Sequence, residues 1–159
     1  METAKAESMN LTQEPENITW PETHYVFIEK IGPFQTTAPQ AWQELPRLAP
    51  GISEHNKITG RMSLYKVGPK VYRAGVSVAA VPKNLPEGVA YTKFKGGKYS
   101  RFVLTGSFSN LPQASRRVFE IVSERNIQLR DDYCIEHYVT DPRTTPEEQY
   151  VTEILVPAI

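Results

Sequence analysis

Hydrophobic and polar positions alternate twice along this chain in the same order, and that repetition predicts the fold. Tyr25 to Phe34 reads Y-V-F-I-E-K-I-G-P-F and Tyr99 to Phe108 reads Y-S-R-F-V-L-T-G-S-F, with the Tyr, the Gly and the Phe recurring at a shift of 74 residues. Each copy opens on a strand-like run rich in β-branched and aromatic residues, His24–Ile31 and Tyr99–Thr105. A helical stretch follows each. In the first copy Thr37 is placed to cap it, with Pro39 near its start, Trp42, Leu45 and Leu48 forming the buried stripe, and Pro46 ending or kinking it. In the second copy Asn110 caps a helix whose Leu111, Ala114, Val118, Ile121 and Val122 fall on one face. Two further strands close each copy: Arg61–Val67 and Val71–Ala79, then Tyr133–Val139 and Tyr150–Val156. Aligning Tyr72 with Tyr150 gives a shift of 78 for the last strands.

Internal repetition is sought first because missing it mis-assigns a fold. Two copies of strand–helix–strand–strand predict an α+β fold with pseudo-two-fold symmetry, antiparallel sheets and a central groove between the halves. The first repeat runs from about residue 24 to 80 and the second from about 98 to 158. Tyr91–Phe94 reads as a short edge strand in the connection. Residues 1–20 are polar and acidic without an apolar period and read as a flexible tail, leaving 21–159 as one domain.

Strand alternation sorts the candidate chemistry. On the expectation that helices cover the outer face of the sheet, the inner face carries Glu136, Tyr138 and Glu153. A shift of 73 makes Tyr65 the counterpart of Tyr138, and Ser63 the counterpart of Glu136. Glu153 has a second reading, an ion pair with Arg73. Trp42 reads as core, and Phe34 and Phe108 as plugs at the ends of the opening strands, with Phe34 also able to shape a groove mouth. A carboxylate among rings is costly unless a positive group pairs with it. The ring faces themselves attract a cation by roughly 0.5–2 kcal/mol per contact. A hydrophobic organic cation answers both demands.

Composition narrows the classes. Eighteen basic and eighteen acidic residues leave no net charge, which argues against direct nucleic-acid binding. No apolar run approaches the roughly 18 residues a membrane span needs, and no secretory signal is seen. The single cysteine, Cys134, precludes an internal disulfide and favours a cytoplasmic location. It lies beside Asp131 and Asp132, a setting that does not activate a thiolate. The three histidines, His24, His55 and His137, have no metal-ligand spacing, so neither a metal nor a cofactor is expected.

Four stretches together resemble the GyrI-like small-molecule-binding domain, the effector module of AraC-type and MerR-type regulators that also occurs alone, as in gyrase-inhibitory and mobile-cassette drug-binding proteins. They are Tyr25–Phe34, the segment Pro86-Glu87-Gly88 with Gly96-Gly97-Lys98-Tyr99, Glu136-His137-Tyr138-Val139-Thr140-Asp141-Pro142, and Thr152-Glu153-Ile154 followed by Val156-Pro157. The likeness covers about residues 22–159. It implies a duplicated strand–helix–strand–strand unit, a ligand groove, and a buried glutamate, Glu136, that meets the charge of a cationic drug, with Glu153 as a second carboxylate. Ile135 stands where relatives often carry an aromatic residue, which implies a roomier wall. With no helix-turn-helix segment in view, regulation of transcription by the chain alone is not expected. The leading expectation is therefore non-catalytic binding of an amphipathic cationic small molecule through Glu136, Tyr138, Tyr65, Glu153 and Phe34. Two alternatives stay open: hydrolysis of strained electrophiles by a Glu136/Tyr138 pair, and a protein-interaction role such as contact with gyrase.

Overall fold

The computed structural model describes residues 9–159. Among these residues nine strands form one antiparallel sheet, and two α-helices pack on one face of it. In chain order the elements are β1 (Asn10–Leu11), β2 (Glu16–Trp20), β3 (Thr23–Ile31), α1 (Phe34–Ser53), β4 (Ile58–Lys66), β5 (Val71–Val78), β6 (Ala90–Phe94), β7 (Gly97–Thr105), α2 (Leu111–Glu124), β8 (Cys134–Tyr138) and β9 (Val151–Pro157). The spatial order is β1-β7-β9-β8-β4-β5-β3-β6, with β2 also on the outer side of β7.

That order is symmetric about the β4–β8 pair. β3-α1-β4-β5 and β7-α2-β8-β9 are the two copies, and their middle strands meet at the centre. Ser63 lies directly across from Glu136, so the two residues related by the 73-residue shift sit on either side of the pseudo-dyad. The register corrects the alignment of the closing strands. Tyr25 pairs with Ser77 and Tyr99 with Pro157, so β5 and β9 correspond at a shift of 80 (77 to 157) rather than 78, and Tyr72 corresponds to Thr152.

The helical face carries the larger core. Val26, Ile28, Ala74, Val76, Phe102, Leu104, Ile154 and Val156 from the sheet meet Ala41, Leu45 and Ile52 of α1 and Ala114, Val118, Ile121 and Val122 of α2. α2 thus buries the stripe its periodicity predicts, apart from the half-buried Leu111. α1 differs from expectation. It starts at Phe34 behind Pro33, Thr37 lies inside it with its hydroxyl donating to the Pro33 carbonyl at 3.2 Å, and Pro39, Pro46 and Pro50 are all accommodated within 20 residues. An interior proline costs about 3 kcal/mol. Burial of Ala41, Leu45 and Ile52 on the sheet opposes that cost, so Pro46 does not end the helix.

The opposite face has its own apolar cluster of Tyr25, Phe27, Met62, Leu64, Phe94, Tyr99, Ile135 and Leu155, flanked by Ile18, Trp20 and Tyr133. Gly75 makes room in it. A Cβ there would fall 2.5 Å from the Val26 carbonyl oxygen and 2.6 Å from the Tyr25 ring, whose hydroxyl donates to the Met62 carbonyl at 2.8 Å.

The expected tail is corrected over its described part. Glu16–Trp20 pairs with Arg101–Gly97, and Asn10–Leu11 pairs with Thr105–Leu104. The acidic character that suggested solvation instead matches basic partners: Glu16 meets Arg101 at 2.7 Å and Glu14 meets Arg125 at 2.6 Å. Residues 1–8 of the expected tail lie outside the described residues. No helix among the described residues is long and apolar enough to cross a membrane.

Candidate functional site

The helices leave the middle of the sheet open. α1 lies over β3 and β5, and α2 over the β7 side, so β4 and β8 form the floor of a channel with a helix along each bank. A cavity of about 680 Å³ occupies it, within the range of sites for drug-sized molecules. Phe34, Ala38, Pro39 and Trp42 line it from α1, Phe108 and the α2 residues Leu111, Pro112, Ser115 and Phe119 from the other side, and Arg61, Tyr65, Tyr72, Glu136 and Tyr138 from the sheet. Groove and helices therefore share a face, contrary to the expectation that helices would cover the other one.

Four of the five residues singled out from sequence, Glu136, Tyr138, Tyr65 and Phe34, come together here. Glu153 does not. Glu136 pairs with Ile154 across β8 and β9, so Glu153 pairs with His137 and projects from the opposite face. There its carboxylate bonds His137 Nδ1 at 2.8 Å and Arg101 at 3.0 Å, and those partners, His137 first, lower its pKa. Its alternative partner, Arg73, bonds Glu29 instead. Ile135 is fully buried in the opposite-face cluster, so it does not shape the cavity wall.

Glu136 is the only acidic residue among the described residues that line the cavity. Burial raises its pKa from the ordinary 4.5, while the Tyr138 hydroxyl, which donates to it, and the nearby Ser115 hydroxyl pull it back down. Arg61, at the cavity edge, donates to the Thr140 carbonyl at 3.1 Å and is not among the groups that shift the Glu136 carboxyl. The Glu136 carboxylate terminates a chain of hydroxyls. Trp42 Nε1 donates to Tyr72 Oη at 2.8 Å, Tyr72 and Ser63 share a bond of 2.8 Å, Ser63 and Tyr138 one of 2.7 Å, and Tyr138 Oη donates to Glu136 Oε1 at 2.8 Å. An indole N–H only donates and an ionised carboxylate only accepts. With both ends fixed, the protons of Tyr72, Ser63 and Tyr138 all point toward Glu136, each bond polarising the next.

Rings enclose this chain. Trp42 and Phe108 stand edge-on to Tyr138 at 5.3 and 5.7 Å, Phe34 packs at 5.7 Å from Tyr65 and 5.6 Å from Tyr72, and Tyr65 stacks on Tyr72 at 6.4 Å. Tyr72 is pushed up to about 12 and Tyr138 and Tyr65 well above the ordinary phenol range, by burial first and Glu136 second. All three stay neutral at physiological pH. Cys134 is buried on the same face, and burial pushes its thiol up to about 12, so it stays protonated.

Sequence reasoning missed Trp42 and Phe108, read as core and plug, and also Tyr72, Ser63 and Ser115. Ser63 was within reach: it is the symmetry mate of Glu136 and alternates in phase with Tyr65.

The chain belongs to the GyrI-like small molecule binding domain family, whose model matches residues 13–159. No curated protein matches it by sequence. Among solved structures it is similar to SAV2435 bound to tetraphenylphosphonium, with a TM-score of 0.74, 16% identity, and 92% of this chain and 94% of that one covered. It is similar as well to the EcmrR C-terminal domain, with a TM-score of 0.73, 15% identity, and coverage of 95% and 98%. A hydrolase from Listeria innocua has a TM-score of 0.57, 13% identity, and coverage of 99% and 98%. The family is one of small-molecule binders, and these likenesses are of fold.

Proposed function

We propose that this protein binds amphipathic organic cations in the channel between α1 and α2, with Glu136 as the counter-charge and Tyr138, Tyr65, Phe34, Trp42 and Phe108 as the apolar and π-electron walls. The observation that carries the reading is the Glu136 carboxylate: it faces a ring-lined cavity, is raised in pKa by burial, and has no cationic partner among the described residues. Such a group is costly in the empty protein and favourable once a cation lies against it. The hydroxyl chain behind it keeps it oriented with its proton donors already committed. In SAV2435 a bound phosphonium cation accompanies the same fold. Glu136→Gln keeps shape and removes charge, so it is expected to weaken a lipophilic cation such as tetraphenylphosphonium roughly tenfold or more in a fluorescence or calorimetric titration. Equal affinity in the variant refutes the reading.

A second reading has one observation in its favour, the 2.8 Å Tyr138–Glu136 bond beside a cavity, within a fold shared with a hydrolase. Glu136 would take a proton from an attacking water while Tyr138 gives one to the leaving oxygen. Catalytic turnover of epoxide-like electrophiles, lost in Glu136→Gln, favours it over binding. Stoichiometric uptake without product counts against it.

A further inference from the structure

The hydrogen-bonding capacity of the channel is used up on one side of Glu136 and unspent on the other. Trp42, Tyr72, Ser63 and Tyr138 are joined through Ser63 in one hydrogen-bonded chain that ends on Glu136. On the other side, the second carboxylate oxygen, Oε2, has no hydrogen-bond partner among the described residues, its neighbour Oε1 taking the Tyr138 bond. Tyr65 Oη is buried with no hydrogen-bond partner among the described residues, on a residue 5% exposed that lines the cavity. Ser115, on the facing bank, lies close enough to both to lower the pKa of each, yet bonds neither with ordinary geometry. A buried hydroxyl without a partner is rare and carries a free-energy cost. Three oxygens from β4, β8 and α2 thus converge on the same part of the cavity, each able to accept.

From this geometry we infer that the channel selects cations that carry N–H donors, protonated amines or amidinium groups, over fully substituted onium ions of the same bulk. An alkylammonium can give one N–H to Glu136 Oε2 and others to Tyr65 Oη and Ser115 Oγ, spending every acceptor left over. A quaternary ammonium supplies the charge but no donor, and it leaves Tyr65 Oη buried and unpaired. The tetraphenylphosphonium held by SAV2435 is of the second kind. The inference rests on the cation-binding reading and adds to it the chemistry of the cationic head.

The test is a matched pair of probes, decylammonium and decyltrimethylammonium, titrated by calorimetry at neutral pH against the wild type, Tyr65→Phe, Ser115→Ala and Glu136→Gln. One charge-assisted hydrogen bond amounts to roughly a tenfold change in affinity. The wild type is expected to favour decylammonium by about tenfold or more. Tyr65→Phe and Ser115→Ala each reduce that ratio. Glu136→Gln weakens both probes. A wild-type ratio near one or below it overturns the inference without any variant, and so does a ratio that neither Tyr65→Phe nor Ser115→Ala moves. If Glu136→Gln weakens both probes in that case, the cation reading survives alone. If neither probe binds, or Glu136→Gln changes nothing, both readings fall.

Discussion

The acidic side chain at the centre of the channel should make the empty protein less stable than a neutral version of itself. The perturbation is Glu136→Gln. The amide retains the Tyr138 hydrogen bond through its oxygen and fills the same volume, so packing is nearly unchanged. Only the charge goes. Burial raises the Glu136 pKa above its ordinary 4.5 in the folded chain, and the sign of the effect follows. Below the ordinary value the group is protonated folded and unfolded, and its charge costs nothing. As pH rises, the unfolded chain releases the proton first, so folding loses stability until the raised folded value has been passed. Glu136→Gln skips that loss. For a half-buried carboxylate with one donor and no counter-ion we expect a difference of about 1–3 kcal/mol, or roughly 2–10 °C in melting temperature for a chain of this size. The assay is thermal denaturation of both proteins without ligand from pH 4 to pH 9. The melting curves should coincide at the acid end and separate with the variant on top at the alkaline end. A variant that melts lower at pH 8, or a gap that ignores pH, refutes the claim that this carboxylate is held ionised at a cost.

Four other outcomes follow from the same geometry. Cation affinity should rise with pH as Glu136 ionises and level off above its raised pKa, with net proton release in calorimetry run in buffers of different ionisation enthalpy; proton uptake would contradict this. Ser63→Ala strips the hydroxyl that joins Tyr72, Tyr138 and Trp42, and chemical denaturation should show a loss of about 1–3 kcal/mol. Gly75→Ala drives a methyl into the Val26 carbonyl and the Tyr25 ring; it should cost about 3 kcal/mol or more and give little folded protein on expression. Deleting residues 1–20 removes β2 and its cover over Tyr99, and should lower the melting temperature by several degrees, whereas a dispensable tail would leave it unchanged.

Much of this architecture was legible because duplication writes the same signal twice. The Tyr25/Tyr99 and Phe34/Phe108 coincidences located the opening strands, and the 73-residue shift put Tyr65, Tyr138, Ser63 and Glu136 into correspondence before any register was known. Glu153 was misplaced for a definite reason. Alternation tells which residues of one strand share a face, but the phase between two strands depends on which residues pair, and the Glu136–Ile154 pairing is set by the loop between β8 and β9. The last-strand shift failed in the same way, because matching Tyr72 to Tyr150 followed residue type rather than pairing. β1 and β2 were hidden because their partner, β7, lies about eighty residues on, and short polar edge strands carry no periodic signal. α1 was mis-started because local proline and threonine preferences yield to burial of Ala41, Leu45 and Ile52. Trp42 was read as core because a tryptophan on a sheet-facing stripe looks the same whether the neighbouring strand is covered by a helix or left bare.

Ser63 and Glu136 occupy equivalent seats facing each other across the axis, one neutral and one acidic. On the proposed cation-binding reading, the charge the channel asks of a guest is therefore set at these two positions. Seating a carboxylate at the Ser63 position as well would turn the channel toward diamines and other doubly charged guests, and emptying both seats would turn it toward uncharged ones, all without redrawing a single strand.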